Sequence, residues 1–405
     1  MRKYRMTDAV AAGVMLAAAA TGATAQEVEF SGFVAGELQV FPDRAAHDGQ
    51  SNAHLNPSLI IQPEIRYELN DGDDRLTFIP YARLDGTDDE RTHFDIREAN
   101  WLHYGNDWDL KIGADKVFWG VAESRHLVDI INQTDLVEDL DGEDKLGQPM
   151  VNLGLQQDWG YLNFYVMPYF RERTFPGRDG RLRGAIPVDT DLATYDSGAE
   201  EWHPDFAIRY STVIDDFDIG ISHFHGTGRE PTFSVVTKSD GSTVLAPHYD
   251  LIDQTGVDLQ ATLGDWLWKL EAMTRSGQGD RFVAAVGGFE YTLYGVTDSG
   301  ADLGLLMEYQ YDGRNDKAPV TIQDNDIFVG SRLTLNDVDD TDFLAGFSVD
   351  HETGSTFFSV EADTRLSDFW TIEMEARAFA FTSEEDPVDA YSHDDYLQVR
   401  LSRYF

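Results

Sequence analysis

Cysteine is absent from this chain of 405 residues. Without thiols the chain can form neither a disulfide framework nor a thiolate metal site. Long apolar runs are missing too, because no stretch beyond residue 30 approaches the roughly 18 apolar residues that a transmembrane helix needs. Only helices and closed barrels pair all their backbone polar groups in lipid, so residence in a membrane would require a closed β-barrel.

Basic residues are scarce. Lys and Arg number 31 against 73 Asp and Glu, giving a formal net charge of −42. Phosphate binding depends on clustered Lys and Arg, so this composition argues against a nucleic-acid partner. The repulsion of so acidic a surface is tolerable where salt screens it.

The first 25 residues have the pattern of an export signal. Arg2, Lys3 and Arg5 form a positive start, residues 9–23 are small and apolar, and Ala23-Thr24-Ala25 fits a cleavage site. A run this short and weakly apolar does not suit a membrane anchor. We predict a cleaved signal peptide over 1–25 and one domain over 26–405.

The hydrophobic period after the signal is two. Ile65, Tyr67 and Leu69 alternate with polar residues, and Leu397, Val399 and Leu401 do the same. This period is typical of strands with two different faces. We predict eighteen strands near residues 28–41, 58–69, 75–84, 92–104, 108–118, 150–157, 161–169, 205–214, 216–224, 255–263, 266–275, 281–293, 302–311, 325–335, 341–350, 355–366, 369–380 and 394–405.

The connections between these strands are sorted by length. Those after even-numbered strands are short, while several after odd-numbered strands are long: 42–57, 119–149, 170–204 and 225–254. Outer-membrane barrels have short periplasmic turns and long extracellular loops, whereas a soluble sandwich has no reason for such sorting. We therefore predict an all-β fold, a closed transmembrane antiparallel barrel of about 18 strands in a Gram-negative outer membrane.

Aspartate ends all eight predicted short turns, and in six of them an aromatic residue follows. Aspartate suits turns because its side chain can bond nearby backbone amides. Aromatic residues at this position would form the girdle of a barrel at the periplasmic rim. The six pairs are Asp107-Trp108, Asp158-Trp159, Asp216-Phe217, Asp265-Trp266, Asp342-Phe343 and Asp368-Phe369.

The chain ends on Phe405 after an amphipathic strand. A terminal aromatic in this setting resembles the recognition signal of proteins that the barrel assembly machinery inserts, so this machinery is an expected partner. Arg403 departs from the pattern, which has an apolar residue there. An arginine at the rim can extend its charged group toward water.

If the apolar residues face lipid, the alternate residues face the lumen. This inward set is charged and nearly balanced, as expected for a barrel wide enough to hold water. Each of these residues could equally form a structural ion pair in the wall. The lumen candidates are Arg66, Arg83, Arg97, Lys111, Glu308, Arg332, Glu373 and Arg377.

The connection 119–149 is long and carries its own apolar residues. Leu127, Ile130, Ile131 and Val137 have spacings compatible with a short amphipathic helix. This face must be buried, either by folding into the lumen as a constriction or by forming a lid on the outer surface. The pore candidates within it are Glu123, Arg125, Asp129, Asp135, Glu138 and Asp139.

A basic cluster interrupts the acidic chain between the seventh and eighth strands. Arginine has a planar fork that suits carboxylate or phosphate. Three roles are open: capture of an anionic solute, contact with lipopolysaccharide phosphates, or pairing with the acidic run 139–144. The cluster comprises Arg171, Arg173, Arg178, Arg181 and Arg183.

One segment supports a family resemblance. Trp119-Gly120 and Glu123-Ser124, followed by Asp129-Ile130-Ile131-Asn132, resemble a stretch in uncharacterised proteobacterial outer-membrane barrels. Known eighteen-stranded families include sugar channels similar to maltoporin, basic-amino-acid and carboxylate channels, and the alginate exporter. The resemblance implies a porin-like barrel without specifying a solute.

These patterns predict a channel for passive diffusion of small hydrophilic solutes, surrounded by outer-membrane lipid and lipopolysaccharide, with homo-oligomerisation left open. The alternative is a surface or periplasmic β-rich enzyme, or a polysaccharide-binding or export protein. No nucleophile elbow, H-E-x-x-H motif or P-loop is present, so we predict no catalytic site and no cofactor. His223 and His225 lack a third ligand by spacing, so we predict no metal site.

Overall fold

The structure is a computed structural model and describes residues 28–405. The predicted signal peptide lies outside the described residues. In chain order the strands are β1 (Val28–Val40), β2 (Leu55–Leu69), β3 (Asp74–Asp85), β4 (Phe94–Tyr104), β5 (Trp108–Asp115), β6 (Gln148–Gln157), β7 (Gly160–Met167), β8 (Thr194–Tyr195), β9 (Asp205–Ile214), β10 (Phe217–Thr227), β11 (Thr232–Thr237), β12 (Thr243–Tyr249), β13 (Leu251–Leu263), β14 (Trp266–Gly277), β15 (Gly279–Leu293), β16 (Asp302–Asp312), β17 (Asp326–Thr334), β18 (Asp342–Asp350), β19 (Thr356–Ser367), β20 (Trp370–Ala380) and β21 (Tyr396–Tyr404).

All of these strands except β8, β11 and β12 form one 18-stranded antiparallel sheet. β1 pairs with β2 on one side and with β21 on the other, with Phe33 opposite Tyr404 and Val40 opposite Leu397. The sheet is therefore a closed barrel, and the predicted architecture is confirmed. Each predicted strand is present, with its ends shifted by at most a few residues.

The outer surface of the barrel is apolar and its inner surface is polar. In β16, Leu305 and Met307 are 42% and 43% exposed, whereas their neighbours Leu306 and Glu308 are 3% and 2% exposed. Large exposed apolar side chains recur in this alternating pattern on strands around the barrel. In water such a surface would be unfavourable, but it is the one that a barrel presents to lipid.

The long connections all lie at one end of the barrel, which we call the loop end. The other end, which we call the turn end, carries connections 70–73, 105–107, 158–159, 215–216, 264–265, 294–301, 335–341 and 368–369. The loop end carries 41–54, 86–93, 116–147, 168–204, 228–250, 278, 313–325, 351–355 and 381–395. The predicted sorting of connections by length is therefore present.

The six predicted girdle aromatics lie together at the turn end, each within one residue of the start of a strand. All six are exposed, between 38% for Trp266 and 56% for Phe369. Arg403 stands in the last strand where the terminal recognition pattern has an apolar residue. Its guanidinium lies 6.0 Å from the ring centres of both Phe369 and Trp370. Cation–π contact in this aromatic rim accounts for an arginine at that position.

A second sheet forms at the loop end, where only loops were predicted. β11 and β12 make an antiparallel hairpin, and β8 joins β12 in parallel, with Tyr195 opposite Tyr249. The helices of the described residues are short 3-10 turns at Asn70–Gly72, Thr190–Leu192, Glu200–Trp202 and Pro387–Tyr391. No helix within residues 28–405 has the length and apolar composition to cross a membrane.

Replacing Met307 by arginine tests the lipid-facing assignment. Met307 lies at the middle of β16 on the apolar surface, so M307R should lower the free energy of unfolding by about 2–4 kcal/mol. The matched control is V338R in a turn, where we expect a change within about 0.5 kcal/mol. Urea unfolding from lipid vesicles measures both. Equal effects of the two substitutions would contradict the assignment.

Candidate functional site in the barrel lumen

The connection between β5 and β6, residues 116–147, folds into the barrel, and we call it the internal loop. It contacts strands on nearly opposite sides of the barrel. Glu123 pairs with Arg332 of β17 at 2.7 Å, and Glu138 pairs with Arg83 of β3 at 2.5 Å. A lid outside the barrel could not reach these inward side chains. The external-lid alternative is therefore wrong.

The apolar residues of the internal loop pack against the inner wall. Val128 and Ile131 are fully buried, and Ile130 is 3% exposed. They form one cluster with wall residues of β6, β7, β9, β10 and β13: Met150, Tyr165, Met167, Ala207, Phe224 and Ile252. Leu127 packs in a second cluster that includes Met273 and Phe282. The wall thus buries the apolar face that the sequence revealed.

The predicted amphipathic helix is wrong, because no residue of the internal loop is helical. Glu271 of β14 accepts hydrogen bonds from the backbone N–H groups of Val121 at 2.7 Å and Ala122 at 3.0 Å. Glu308 of β16 accepts the next two backbone N–H groups, at 2.8 Å each. Since backbone donors need partners, these buried carboxylates replace the carbonyls of a helical turn.

A buried ion cluster fixes the other side of the internal loop. Arg83 lies between Glu37 at 2.6 Å and Glu138 at 2.5 Å, and its side chain is fully buried. Arg97 pairs with Asp135 of the loop at 2.7 Å. Charge-assisted bonds of this kind are strong when every group is paired. The internal loop is therefore held to β3 and β4 as well as to β14, β16 and β17.

Each predicted pore residue of the internal loop has a partner. Glu123, Asp135 and Glu138 are described above. The remaining partners are Asp312 for Arg125 at 2.8 Å, Lys145 for Asp129 at 3.2 Å and the Tyr396 hydroxyl for Asp139 at 3.4 Å. Glu37 was missed, although its alternation with Leu38 along β1 marks it as inward-facing.

Two arginines of the predicted basic cluster pair with carboxylates of the barrel and its loops. Arg171 pairs with Asp95 at 2.8 Å, and Arg181 pairs with Asp394 at 2.6 Å. Neither Arg171 nor Arg181 takes its carboxylate partner from the acidic run 139–144. The predicted pairing with that run is therefore wrong for both arginines. Arg183 donates to backbone carbonyls, Arg173 donates to Gln133 at 3.3 Å, and Arg178 is an exposed residue.

The predicted lumen residues point inward, as their ion pairs show. Arg83, Arg97, Glu308, Arg332 and Arg377 contact the internal loop, and the others pair along the wall: Arg66 with Glu64, Lys111 with Asp115 and Glu373 with Arg400. Arg66 is 43% exposed and Glu361 is 44% exposed, whereas Arg83 is fully buried. Water therefore reaches the lumen unevenly.

The exposed inward groups outline a candidate passage along β17 to β20. On the internal loop, the side chains of Asp141 and Glu143 are 31% and 54% exposed. On the wall, Arg377 of β20 reaches Asp141 at 3.3 Å, and Glu361 of β19 lies beside it. The passage is thus bounded by acidic loop residues and by a wall that carries both signs of charge.

His126 and Asp144 are two of the groups of the internal loop whose pKa is shifted. Burial opposes the charge of His126, but its hydrogen bond to Glu143 at 2.7 Å and the nearby Glu271 raise its pKa to about 10. Burial and the charge of Glu138 raise the pKa of Asp144 to about 6. His126 is therefore charged at neutral pH, while the charge of Asp144 changes between mildly acidic and neutral pH.

No protein-family model matches the chain, and no curated protein matches it. Among solved structures, it is similar to a loop-deletion mutant of OmpT, an outer membrane protein of Vibrio cholerae. That match has 10% identity over 94% of this chain and 100% of the other, with a TM-score of 0.46. A mutant of Rhodopseudomonas blastica porin covers the same shares at 12% identity and a TM-score of 0.46. At this level of similarity no family is assigned, and the fold rests on the chain's own strand pairing.

Replacing Arg83 by methionine tests whether the ion cluster holds the internal loop. R83M leaves Glu37 and Glu138 without this partner, and breaking a buried pair in this way costs about 3–5 kcal/mol. The control is R365M, which removes an exposed pair with Asp340 and should cost about 1 kcal/mol or less. Guanidinium unfolding of the reconstituted protein gives both values. If R83M is as mild as R365M, the cluster does not hold the loop.

Proposed function

We propose that this protein is an outer-membrane channel for passive diffusion of small hydrophilic solutes, with the internal loop setting its narrowest section. The observation that carries the proposal is the loop's attachment to opposite walls inside a closed barrel with an apolar exterior. We infer that solutes pass beside β17 to β20, where exposed charged groups of the loop and of the wall lie together. A loop held on both sides also gives a passage of fixed shape.

The charge of the passage favours cations. Glu143 and Glu361 are among its exposed groups, and the chain as a whole carries a formal charge of −42. Within a narrow section with low-dielectric walls, such charges focus the field and raise the local concentration of counter-ions. Arg332 and Arg377 prevent the wall from being purely acidic, so solute shape should matter along with charge.

The proposed location follows from the same features. The apolar exterior requires lipid, and short turns at one end with long loops at the other suit an outer-membrane barrel. Phe405 packs its ring 5.4 Å from Phe30 and donates its backbone N–H to Gly32, so the terminal aromatic is part of the closing seam. The turn end would face the periplasm, with insertion by the barrel assembly machinery.

Deleting the internal loop tests its role as the constriction. Replacing residues 120–146 by a short Gly-Ser linker should raise single-channel conductance several-fold, because the lumen section would widen. Planar-bilayer recording measures this, after heat-modifiable migration has shown that the variant is a folded barrel. An unchanged conductance in a folded variant would mean that another segment limits passage.

Cation preference should depend on pH. Protons neutralise Asp144, whose pKa is about 6, so lowering the pH from 8 to 5 should remove negative charge from the internal loop and reduce cation preference. D144N should flatten the part of this change centred near pH 6. The control is D240N in the β11–β12 turn, which should leave the profile unchanged. Reversal potentials in a salt gradient measure all three proteins. An identical pH profile in D144N would contradict the assignment.

A further inference from the structure

Three side chains at the loop end bring their ligand atoms together outside the lumen. His248 lies in β12, Asp196 follows β8, and Asp250 joins β12 to β13. The Nε2 atom of His248 is 3.4 Å from Oδ1 of Asp196 and 3.5 Å from Oδ1 of Asp250. One ligand atom from each of the three residues lies within 4.8 Å of the other two.

These distances are longer than those of the closest histidine–carboxylate pairs and are similar to those of His93, which lies 3.5 Å from Asp135 and 3.3 Å from Glu138. His126 is 2.7 Å from Glu143, His103 is 2.8 Å from Asp74, and His225 is 2.9 Å from Asp253, as expected for hydrogen bonds. Bonds of about 2.0–2.2 Å in a tetrahedral zinc site place neighbouring ligand atoms about 3.3 Å apart. His248 therefore has the spacing of ligands arranged around an ion.

The outer atoms of all three side chains are held by neighbouring groups. Nδ1 of His248 lies 2.9 Å from the Thr194 hydroxyl. Oδ2 of Asp196 accepts from the backbone N–H of Leu251 at 3.2 Å, and Oδ2 of Asp250 accepts from Gln278 at 3.5 Å. Metal ligands are commonly oriented through such outer bonds, and a donating Nδ1–H leaves the Nε2 lone pair directed at the ligand position.

The charges of this cluster are also unbalanced. Within residues 28–405, His248 is the ion-pair partner of both Asp196 and Asp250, and neither carboxylate has an Arg or Lys partner. The cluster of His93, Asp135 and Glu138 differs, because Arg97 and Arg83 already neutralise its carboxylates.

We propose that Asp196, His248 and Asp250 bind a divalent transition-metal cation such as Zn²⁺, with water filling the remaining positions. Imidazole and carboxylate are suitable ligands for such ions. The site connects β8 and β12 of the small sheet to the start of β13, so the cation fastens this sheet to the barrel.

Zinc titration of the folded, detergent-extracted protein tests the proposal. After removal of metal by a chelator, competition with a chromophoric zinc indicator should reveal one strong site in the unaltered protein. H248Q and D196N should lose this site. T194V keeps all three ligands but removes the outer bond to Nδ1, so it should weaken binding roughly 10- to 100-fold.

The matched control is H225Q, which alters a hydrogen-bonded histidine–aspartate pair at the same end and should leave zinc affinity unchanged. Zinc should also slow proteolysis of the 232–249 hairpin in the unaltered protein but not in H248Q. Heat-modifiable migration confirms that each variant is folded. If the unaltered protein binds no zinc, or H248Q binds it equally well, His248 forms an ordinary ion pair and the proposal is overturned.

Discussion

Closure of the sheet is the constraint on which the rest of the structure depends. In lipid every backbone N–H and C=O must find a partner within the protein, so a sheet with a free edge cannot span a membrane. Here β1 and β21 pair along the seam, and Gly32 accepts the backbone N–H of Phe405 just beyond the last pair. Because the strands are closed and pleated, one set of side chains must face outward and the other inward.

Because the apolar set of side chains faces outward, the interior of the barrel is polar. Eighteen strands make this interior wide. A wide polar lumen can be filled by water or by chain, and this protein uses both. The internal loop gains its position from two different interactions. Its apolar residues pack against β6, β7, β9, β10 and β13. On the far side, Arg83 pairs with a carboxylate of the loop, and Glu308 accepts hydrogen bonds from its backbone. An irregular backbone is tolerable there because the wall supplies the hydrogen-bond partners that a helix would supply internally.

The excess of acidic residues has consequences at two places. In the lumen, arginines of the wall pair with the buried carboxylates, while the more exposed acids Asp141 and Glu143 pair with Arg377 and His126. At the loop end, Asp196 and Asp250 have only His248 as an ion-pair partner among the described residues. A chain with few basic residues leaves some carboxylate pairs that an external cation can satisfy. The proposed channel and the proposed metal site thus follow from the same composition.

The sequence by itself determined the barrel, its strand count and the direction of its side chains. Period-two alternation and sorted connection lengths are local properties, and they depend on the contrast between lipid and water rather than on particular contacts. The sequence also identified the internal loop, since its apolar residues require burial.

Only the tertiary structure decided how that loop is held. Glu271 and Glu308 lie far along the chain from the amides they bind, so no local signal opposed the helix that the spacing of Leu127, Ile130 and Ile131 predicted. The partners of Arg171 and Arg181 depend in the same way on which strands closure brings together. Asp196 and His248 are likewise joined by the parallel pairing of β8 with β12, a contact between two loops that no spacing rule encodes.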